Sequence, residues 1–234
     1  MAAERGGAHR LELCSNLSNG GITPSAGLIA VVRQAVSIPL HIMIRPRGSD
    51  FCYSDDEFRV MQRVILMAKQ LRADAIVLGI LDLDVRIDTA RTKQLVDFAA
   101  PLPITFHRAF DMSADLFTSL RDLQSIGIPH VLSSGGKQTA IEGAKNLKAL
   151  LAAASGTISI IAGSGIDAGN VFDLLEQTGV SEIHTTLRSS LPSPMSYRNN
   201  SVSMGATKSG EYQRLVVQEQ TVRNLLQAAS HAKA

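Results

Sequence analysis

Short apolar segments rich in branched residues recur along the chain every 24 to 35 residues. Between them, apolar residues repeat with helical spacing, as in DDEFRVMQRVILMAKQL and ADLFTSLRDLQSIG. This alternation predicts seven strands separated by helices, and strand-helix repeats build a parallel sheet. The predicted strands are centred near Glu12, Ile42, Val77, Thr105, Val131, Ile160 and His184.

Residues typical of helix ends punctuate the repeats. Ser54 precedes three acidic residues at a predicted helix start, and Gly127 and Gly179 follow predicted helix ends. MAAERGGAHR resembles the last turns of a helix, and LVVQEQTVRNLLQAA predicts a final helix after the seventh strand. LPSPMSYRNNSVSMGA is the one long irregular segment, and no linker divides the chain. We therefore expect a single domain over residues 1–234.

The strands alternate between apolar and polar residues, which bears on whether the sheet is open or closed. In the second predicted strand, Ile42 and Ile44 face one way while His41, Met43 and Arg45 face the other. Central strands of an open doubly wound sheet are apolar on both faces, whereas a small barrel can be polar inside near its mouth. The alternation favours a TIM-like α/β barrel. MAAERGGAHR leads into the first predicted strand with no strand before it, so either seven strands are present and the first strand of the barrel is missing, or the chain begins with an unrelated helix.

Composition narrows the class of protein. The chain has 234 residues, 45% of them hydrophobic and 19% charged, which is typical of a soluble protein with a core and fits one barrel domain. A net charge of +2 gives no basic surface for nucleic acid, and no apolar run is long enough for a membrane span or signal peptide. Two cysteines fit a reducing compartment, so a cytoplasmic protein is expected.

Polar residues follow the predicted strands at the end where parallel barrels place their sites. They are Glu12, Cys14, Arg45, Arg47, His107, Arg108, Asp111, Ser133, Ser134, Gly163, Gly165, His184 and Arg188. Glu12 and Arg45 either form a salt bridge with each other or bind a ligand. Imidazole titrates near neutral pH, so His107 is a candidate for proton transfer, with Glu12 and Asp111 as further catalytic candidates. A histidine at a strand end is more often a hydrogen-bonded structural residue, and Asp111 could orient His107 or cap the next helix.

A glycine turn suggests an anion site. Gly163 and Gly165 precede a predicted helix start, where backbone N–H groups are free, and Arg188 follows the next strand. If one strand is missing at the front, these segments are the loops that bind phosphate in many barrels. The alternative is that the glycines only make a tight turn.

Two sulfur side chains face the same way on adjacent predicted strands. Cys14 and Met43 are soft ligands that suit Cu(I), and Cys52 lies in the loop after the Met43 strand. Buried Cys and Met are more often part of the core than metal ligands. Spacing patterns of other metal sites, such as C-x-x-C, are absent from the sequence.

Four segments, AERGGAHRLELCSNLSNGGITPSAG, MIRPRGSDFCYSDDE, PITFHRAFD and YRNNSVSMGA, resemble the CutC copper homeostasis family. The resemblance implies a TIM-like barrel, Cu(I) binding linked to copper tolerance, a homo-oligomer, and a cytoplasmic location with the nucleus as a second one. It implies Cys14 as a Cu(I) ligand. In this chain the second ligand would have to be Cys52, which has no counterpart in the family, or Met43. It implies no established reaction. The residues that match polar positions at the mouth of the family's barrel are Glu12, Arg45, His107, Arg108, Asp111, His184 and Arg188.

Animal members of the family begin with a strand resembling EVC-V-D, whose cysteine is the proposed partner of Cys14, and this chain starts after that strand. We therefore expect unpaired edges on the Glu12 and His184 strands and lower stability than in a relative that has the strand.

Three functions remain open. One is a Cu(I)-binding copper homeostasis protein, and another is a barrel enzyme or binding protein for a small anionic, phosphorylated metabolite held by Arg45, His107 and Arg188. The third is an inactive barrel.

Overall fold

Seven parallel strands in chain order form the sheet of the computed structural model, which describes residues 1–199, 201–202 and 211–233. The strands are β1 Leu11–Leu13, β2 Leu40–Met43, β3 Ala75–Leu78, β4 Ile104–Phe106, β5 His130–Ser133, β6 Ser159–Gly163 and β7 Glu182–His184. The helices are α1 Ala2–Arg5, α2 Ala26–Ala35, α3 Asp55–Gln70, α4 Thr89–Ala99, α5 Leu116–Ser125, α6 Ala144–Ala154, α7 Val171–Thr178 and α8 Glu219–Ser230. The predicted α/β barrel with seven strands is confirmed.

Helix boundaries follow the signals in the sequence. At the start of α3 the Ser54 side chain accepts a hydrogen bond from the backbone N–H of Glu57, whose own side chain accepts from the N–H of Ser54. This capping box satisfies two amide donors that a helix N-terminus leaves without partners. The same helix buries Phe58, Met61 and Ile65 against the sheet, so one face of α3 belongs to the core.

The two faces of the sheet differ as the alternation predicts. Leu40, Ile42 and Ile44 on and after β2 join the core between strands and helices. The intervening residues face the barrel interior, where Glu12 pairs in register with His41 and Met43 with Val77. Side chains that follow the strands at their C-terminal ends are therefore brought to one mouth of the barrel.

The first and last strands have no backbone pairing with each other in the described residues. Side chains bridge this seam, which consists of Arg10 and Glu12 on the β1 side and Glu182 and His184 on the β7 side. Arg10 donates to Glu182 in an ion pair, and His184 Nδ1 lies 3.7 Å from Glu12 Oε2. The sheet is therefore curled far enough for its edges to meet through side chains.

The last fifth of the chain differs from the prediction. An antiparallel hairpin, β8 Arg188–Pro192 with β9 Gln213–Val217, precedes α8, so LVV is strand and the final helix begins at Glu219. The helical prediction was wrong there because a short run of branched apolar residues such as LVV fits a strand as well as a helix. Residues 200 and 203–206 of the predicted irregular segment lie outside the described residues.

The short helix α1 packs on the last helix. A Cβ on Gly6 would stand 2.6 Å from Val222 Cβ, so only glycine allows this approach. Arg5 donates to Glu219 at 2.9 Å, and Glu4 accepts from the backbone N–H of Ser37 at 2.7 Å. In the described part of the chain, no helix combines the length and apolarity needed to cross a membrane.

Candidate functional site

Two sulfur side chains meet at the mouth of the barrel, where β1 and β2 end. Cys14 Sγ would lie 3.1 Å, and Met43 Cε 3.8 Å, from a Cβ built on Gly21. Gly21 has φ +86°, a conformation that strains residues with a side chain. The space beside both sulfur side chains is thus kept open by a glycine that sequence reasoning did not single out.

The Cys14 thiol is half-buried beside charges of opposite sign. Burial raises its pKa to about 11, the Glu12 carboxylate adds to the rise, and Arg188 opposes it. The thiol is therefore protonated near neutral pH, and a metal that binds it must displace a proton. Glu12 therefore acts on the Cys14 thiol and also lies across the seam from His184, whose Nδ1 is 3.7 Å from Glu12 Oε2.

Arg45 does not form the salt bridge with Glu12 that the sequence allowed. Its guanidinium donates instead to the backbone carbonyls of Asn19, Gly21 and Ser49, at 2.7, 2.9 and 2.8 Å. The side chain is buried and holds two loops together at the mouth. Long-range backbone acceptors of this kind leave no pattern in the sequence.

His107 is fully enclosed next to β3. A Cβ on Gly79 would stand 2.5 Å from His107 Nδ1 and Cε1, so the imidazole occupies the space that this glycine leaves. Nδ1 accepts from the backbone N–H of Ala109 at 3.2 Å. Burial, followed by the charge of Arg45, lowers the pKa of His107 to about 3, so the ring is neutral near pH 7.

Asp111 and Arg108 organise the loop after β5. The Asp111 carboxylate accepts from the side chain of Ser133 and the backbone N–H groups of Ser134 and Gly136, and Arg108 Nε donates to it at 2.8 Å. The predictions that Asp111 orients His107 or caps the next helix were wrong. A different residue, Asp115, caps α5.

The predicted anion loop is a closely packed turn. A Cβ on Gly163 would stand 2.6 Å from Leu132 Cδ1, and one on Gly165, at φ +68°, would stand 2.9 Å from Thr139 Cγ2. Arg188 is exposed on β8 and lies close enough to Cys14 to influence its thiol. Anion binding by these groups stays a prediction.

Cys52 lies in the loop between β2 and α3 and is half-buried. Its carbonyl accepts from Arg47 at 2.9 Å, and its N–H donates to Asp50 at 3.1 Å, so the backbone at this position is fixed. Within the described ranges, no group of three or more His, Cys, Asp or Glu residues could hold a metal ion. A metal at the mouth would therefore depend on the sulfur side chains.

A second polar cluster fills the opposite, N-terminal end of the interior and was not predicted. The Glu182 carboxylate accepts from Arg10 and, at 2.7 Å, from Ser159. Burial works to raise the pKa of Glu182, but these two partners outweigh it and lower the pKa. His41 and His130 complete the cluster, and burial is the main cause that lowers the pKa of each. This cluster could have been predicted from the polar residues on the inward side of the predicted strands.

Comparison with known proteins relates this chain to one family. The family described as CutC matches residues 1–189. The human "Copper homeostasis protein cutC homolog" is 47% identical over 224 residues, which cover 95% of this chain and 82% of the human protein. A CutC family protein of Chromobacterium violaceum is 41% identical over 232 residues, covering 99% of this chain and 94% of that protein.

Solved structures agree with this relationship. A CutC structure from Streptococcus agalactiae has a TM-score of 0.72 at 40% identity and covers 75% of this chain and 87% of its own. Thiamine phosphate pyrophosphorylase from Pyrococcus furiosus has a TM-score of 0.58 at 14% identity, covering 100% of this chain and 88% of that one. The second likeness concerns the fold alone.

Proposed function

The chain belongs to the CutC family, and from that premise we propose that it acts in copper homeostasis by binding Cu(I) at the barrel mouth. Cys14 supplies a thiolate, and the thioether of Met43 is the second ligand. Copper is the cargo of this site. Two relatives are named copper homeostasis proteins, which supports a role in copper homeostasis in general.

The convergence of Cys14 and Met43 on Gly21 carries the proposal. Cys14, directly after β1, and Met43, on β2, extend into the same space, and the missing Cβ of Gly21 leaves room next to Cys14 Sγ and Met43 Cε. Thiolate and thioether ligands are soft and select Cu(I) over harder ions such as Mg²⁺ and Ca²⁺. The donor set therefore fits the metal that the family name suggests.

The electrostatics of Cys14 predict how binding depends on pH. Because the thiol has a pKa of about 11, binding of Cu(I) releases one proton throughout the neutral range. The apparent affinity should therefore rise about tenfold for each pH unit between 6 and 9. A pH-independent affinity would mean that the ligand is not a protonated thiol.

Competition with a Cu(I) chelator under anaerobic conditions tests the ligand set. Cys14→Ser should lower the affinity by more than about a hundredfold, and Met43→Leu, which keeps the volume, by about tenfold. Cys52→Ser is the matched control, because it removes the other thiol, and it should bind as the unmodified protein does. Unchanged affinity in Cys14→Ser would exclude this site.

The proposed place of action is a reducing compartment such as the cytoplasm, with the nucleus as a second location. Cys14 and Cys52 are both free thiols, which supports this assignment. A homo-oligomer is proposed from the family resemblance. Cell fractionation and light scattering of the purified protein test these two points separately.

A further inference from the structure

Three buried polar atoms near the mouth make no hydrogen bond within the described residues: Arg45 Nε, Tyr53 Oη and His107 Nε2. Their residues are 5%, 3% and 4% exposed, respectively. A buried polar atom without a partner costs free energy, and few occur in a native protein. Three of them in one neighbourhood indicate that something is bound there in the functional state.

All three atoms can donate a hydrogen bond. Arg45 Nε always carries a hydrogen, and the Tyr53 hydroxyl carries one below its raised pKa of about 12. Because His107 Nδ1 accepts from the N–H of Ala109, the proton of the neutral ring lies on Nε2. The missing group must therefore be an acceptor.

Phe51 is the centre of this neighbourhood. Arg45 Cζ lies 4.8 Å from the centroid of its ring, and the His107 ring lies 5.1 Å from it. Tyr53 is two residues further along the same loop, and the Arg45 charge acts on both Tyr53 and His107. The Tyr53 hydroxyl is close to the guanidinium, but the two do not form a hydrogen bond of acceptable geometry.

Arg45 is also a buried cation without a counter-charge. No carboxylate of the described residues forms an ion pair with it, and its three hydrogen bonds end on neutral carbonyls. Arg108, at the same mouth, is paired with Asp111 at 2.8 Å. A buried charge is costly unless it is paired. Asp50, a carboxylate that acts on Tyr53, is itself paired with Arg47, so Arg45 has neither a counter-charge nor an acceptor for its Nε within the described residues.

We propose that Arg45, Tyr53 and His107 form a binding site for a carboxylate group, which enters when the Phe51 side chain moves aside. A carboxylate supplies both missing properties, since its two oxygens accept up to four hydrogen bonds and it carries one negative charge. The partly exposed Phe51 separates the donors from solvent, and its backbone is held by the N–H of Leu81 at 2.9 Å. The site needs no metal, and neither Cys14 nor Met43 is one of its donors.

Titration of the metal-free protein with formate and acetate tests the proposal, with acetamide as a neutral probe of the same size as acetate. Calorimetry measures binding, and ¹⁵N NMR of the histidine side chains reports the His107 Nε2 proton. Both acids should bind at millimolar or lower concentration and move that proton resonance downfield. Acetamide should bind at least about tenfold more weakly, because it lacks the charge.

Tyr53→Phe removes one donor without changing the shape of the core. Acetate affinity should fall at least about fivefold, while the thermal midpoint without acetate should stay equal or rise, because an unpaired buried hydroxyl is removed. Tyr212→Phe is the control, since that hydroxyl accepts from the N–H of Asn199 at the surface, and it should leave acetate binding unchanged.

Three results would overturn the site. One is equal binding of acetate and acetamide, and another is no saturable binding of either acid with an unmoved His107 resonance. The third is a Tyr53→Phe variant that is less stable without ligand, because the hydroxyl would then have a partner such as an ordered water or Arg45.

Discussion

The centre of the sheet and its seam hold the barrel together in different ways. Strands β2 to β6 each pair with a neighbour on both sides, and their outer side chains, such as Phe106 and Ile76, are fully buried. At the seam the backbones do not pair, and the connection depends on partly exposed side chains, chiefly Arg10 and Glu182. Backbone pairing and apolar burial do not depend on pH, so the centre responds to acid only through buried histidines such as His41, whereas the connection at the seam itself depends on charge.

This difference matters for function because Cys14 follows β1, which is one edge of the seam. Glu12, on the same strand, affects both the contact with His184 and the pKa of the thiol. The proposed copper site therefore lies in the less strongly held region, while His107 and Arg45 belong to the better enclosed part of the mouth. The expected effects below are ordered from the largest to the smallest.

Truncation at the centre should have the largest effect on stability. Phe106→Ala removes a fully buried ring and should lower the free energy of unfolding by about 3–5 kcal/mol. Urea denaturation followed by circular dichroism measures the change. Phe117→Ala, on the exposed side of α5, is the control and should cost less than about 1 kcal/mol. Similar losses in both variants would contradict the assignment of the core.

Loss of the seam ion pair should have an intermediate effect. Glu182→Gln leaves Arg10 partly buried without a charged partner and should lower the free energy of unfolding by about 1–2 kcal/mol. Glu219→Gln breaks the more exposed pairs with Arg5 and Arg223 and should lower the free energy of unfolding by clearly less than Glu182→Gln does. If the free energy of unfolding falls by the same amount in both variants, the seam pair contributes no more to stability than a surface pair does.

Lowering the pH should destabilise the centre of the sheet and the seam over different pH ranges. The pKa of His41 is lowered to about 4 by burial and by the charges of Arg10 and His130, so the unfolded chain binds more protons below about pH 6.5. Stability should therefore fall as the pH drops from 6.5 towards 4, with His107 contributing in the same direction. Glu182, whose pKa is lowered, holds its contribution above about pH 4.5 and loses it only below that value.

Thermal midpoints measured every half pH unit would show this order. His41→Gln should flatten the curve between pH 6.5 and 4, and Glu182→Gln should flatten it below pH 4.5. His9→Gln, at an exposed position, should leave the curve unchanged. A curve that His41→Gln does not alter would show that His41 titrates alike in the folded and unfolded chain.

Neutralising Glu12 should have the smallest effect on stability and a clear effect on the thiol. At 3.7 Å from His184 the pair is long, so Glu12→Gln should change the free energy of unfolding by less than about 0.5 kcal/mol. Because Glu12 raises the pKa of Cys14, the variant should be alkylated faster by iodoacetamide at pH 9. Cys52 in the same sample is the internal control, and an unchanged rate at Cys14 would contradict the coupling.

Most of the barrel and part of the site could be predicted from the sequence. Residues such as Ile42 and Met43 alternate with the period of a strand, so the seven strands and their faces could be predicted. The capping residue Ser54 likewise has a local signature. Positions set by long-range contacts could not be found this way, because no local pattern links Arg45 to Asn19 or the edge residue Glu12 to His184.

The close contact between Gly79 and His107 limits which substitutions the chain can accept during evolution. The imidazole occupies the volume that a side chain at position 79 would need, and the two residues directly follow the neighbouring strands β3 and β4. A Cβ at position 79 would stand 2.5 Å from the His107 ring and 2.9 Å from Ala109 Cβ, so substitution of Gly79 alone should be selected against. A smaller residue at position 107 relieves the closer contact and one at position 109 the other. These positions should therefore change together during evolution, and suppressors of Gly79→Ala should map to codons 107 and 109.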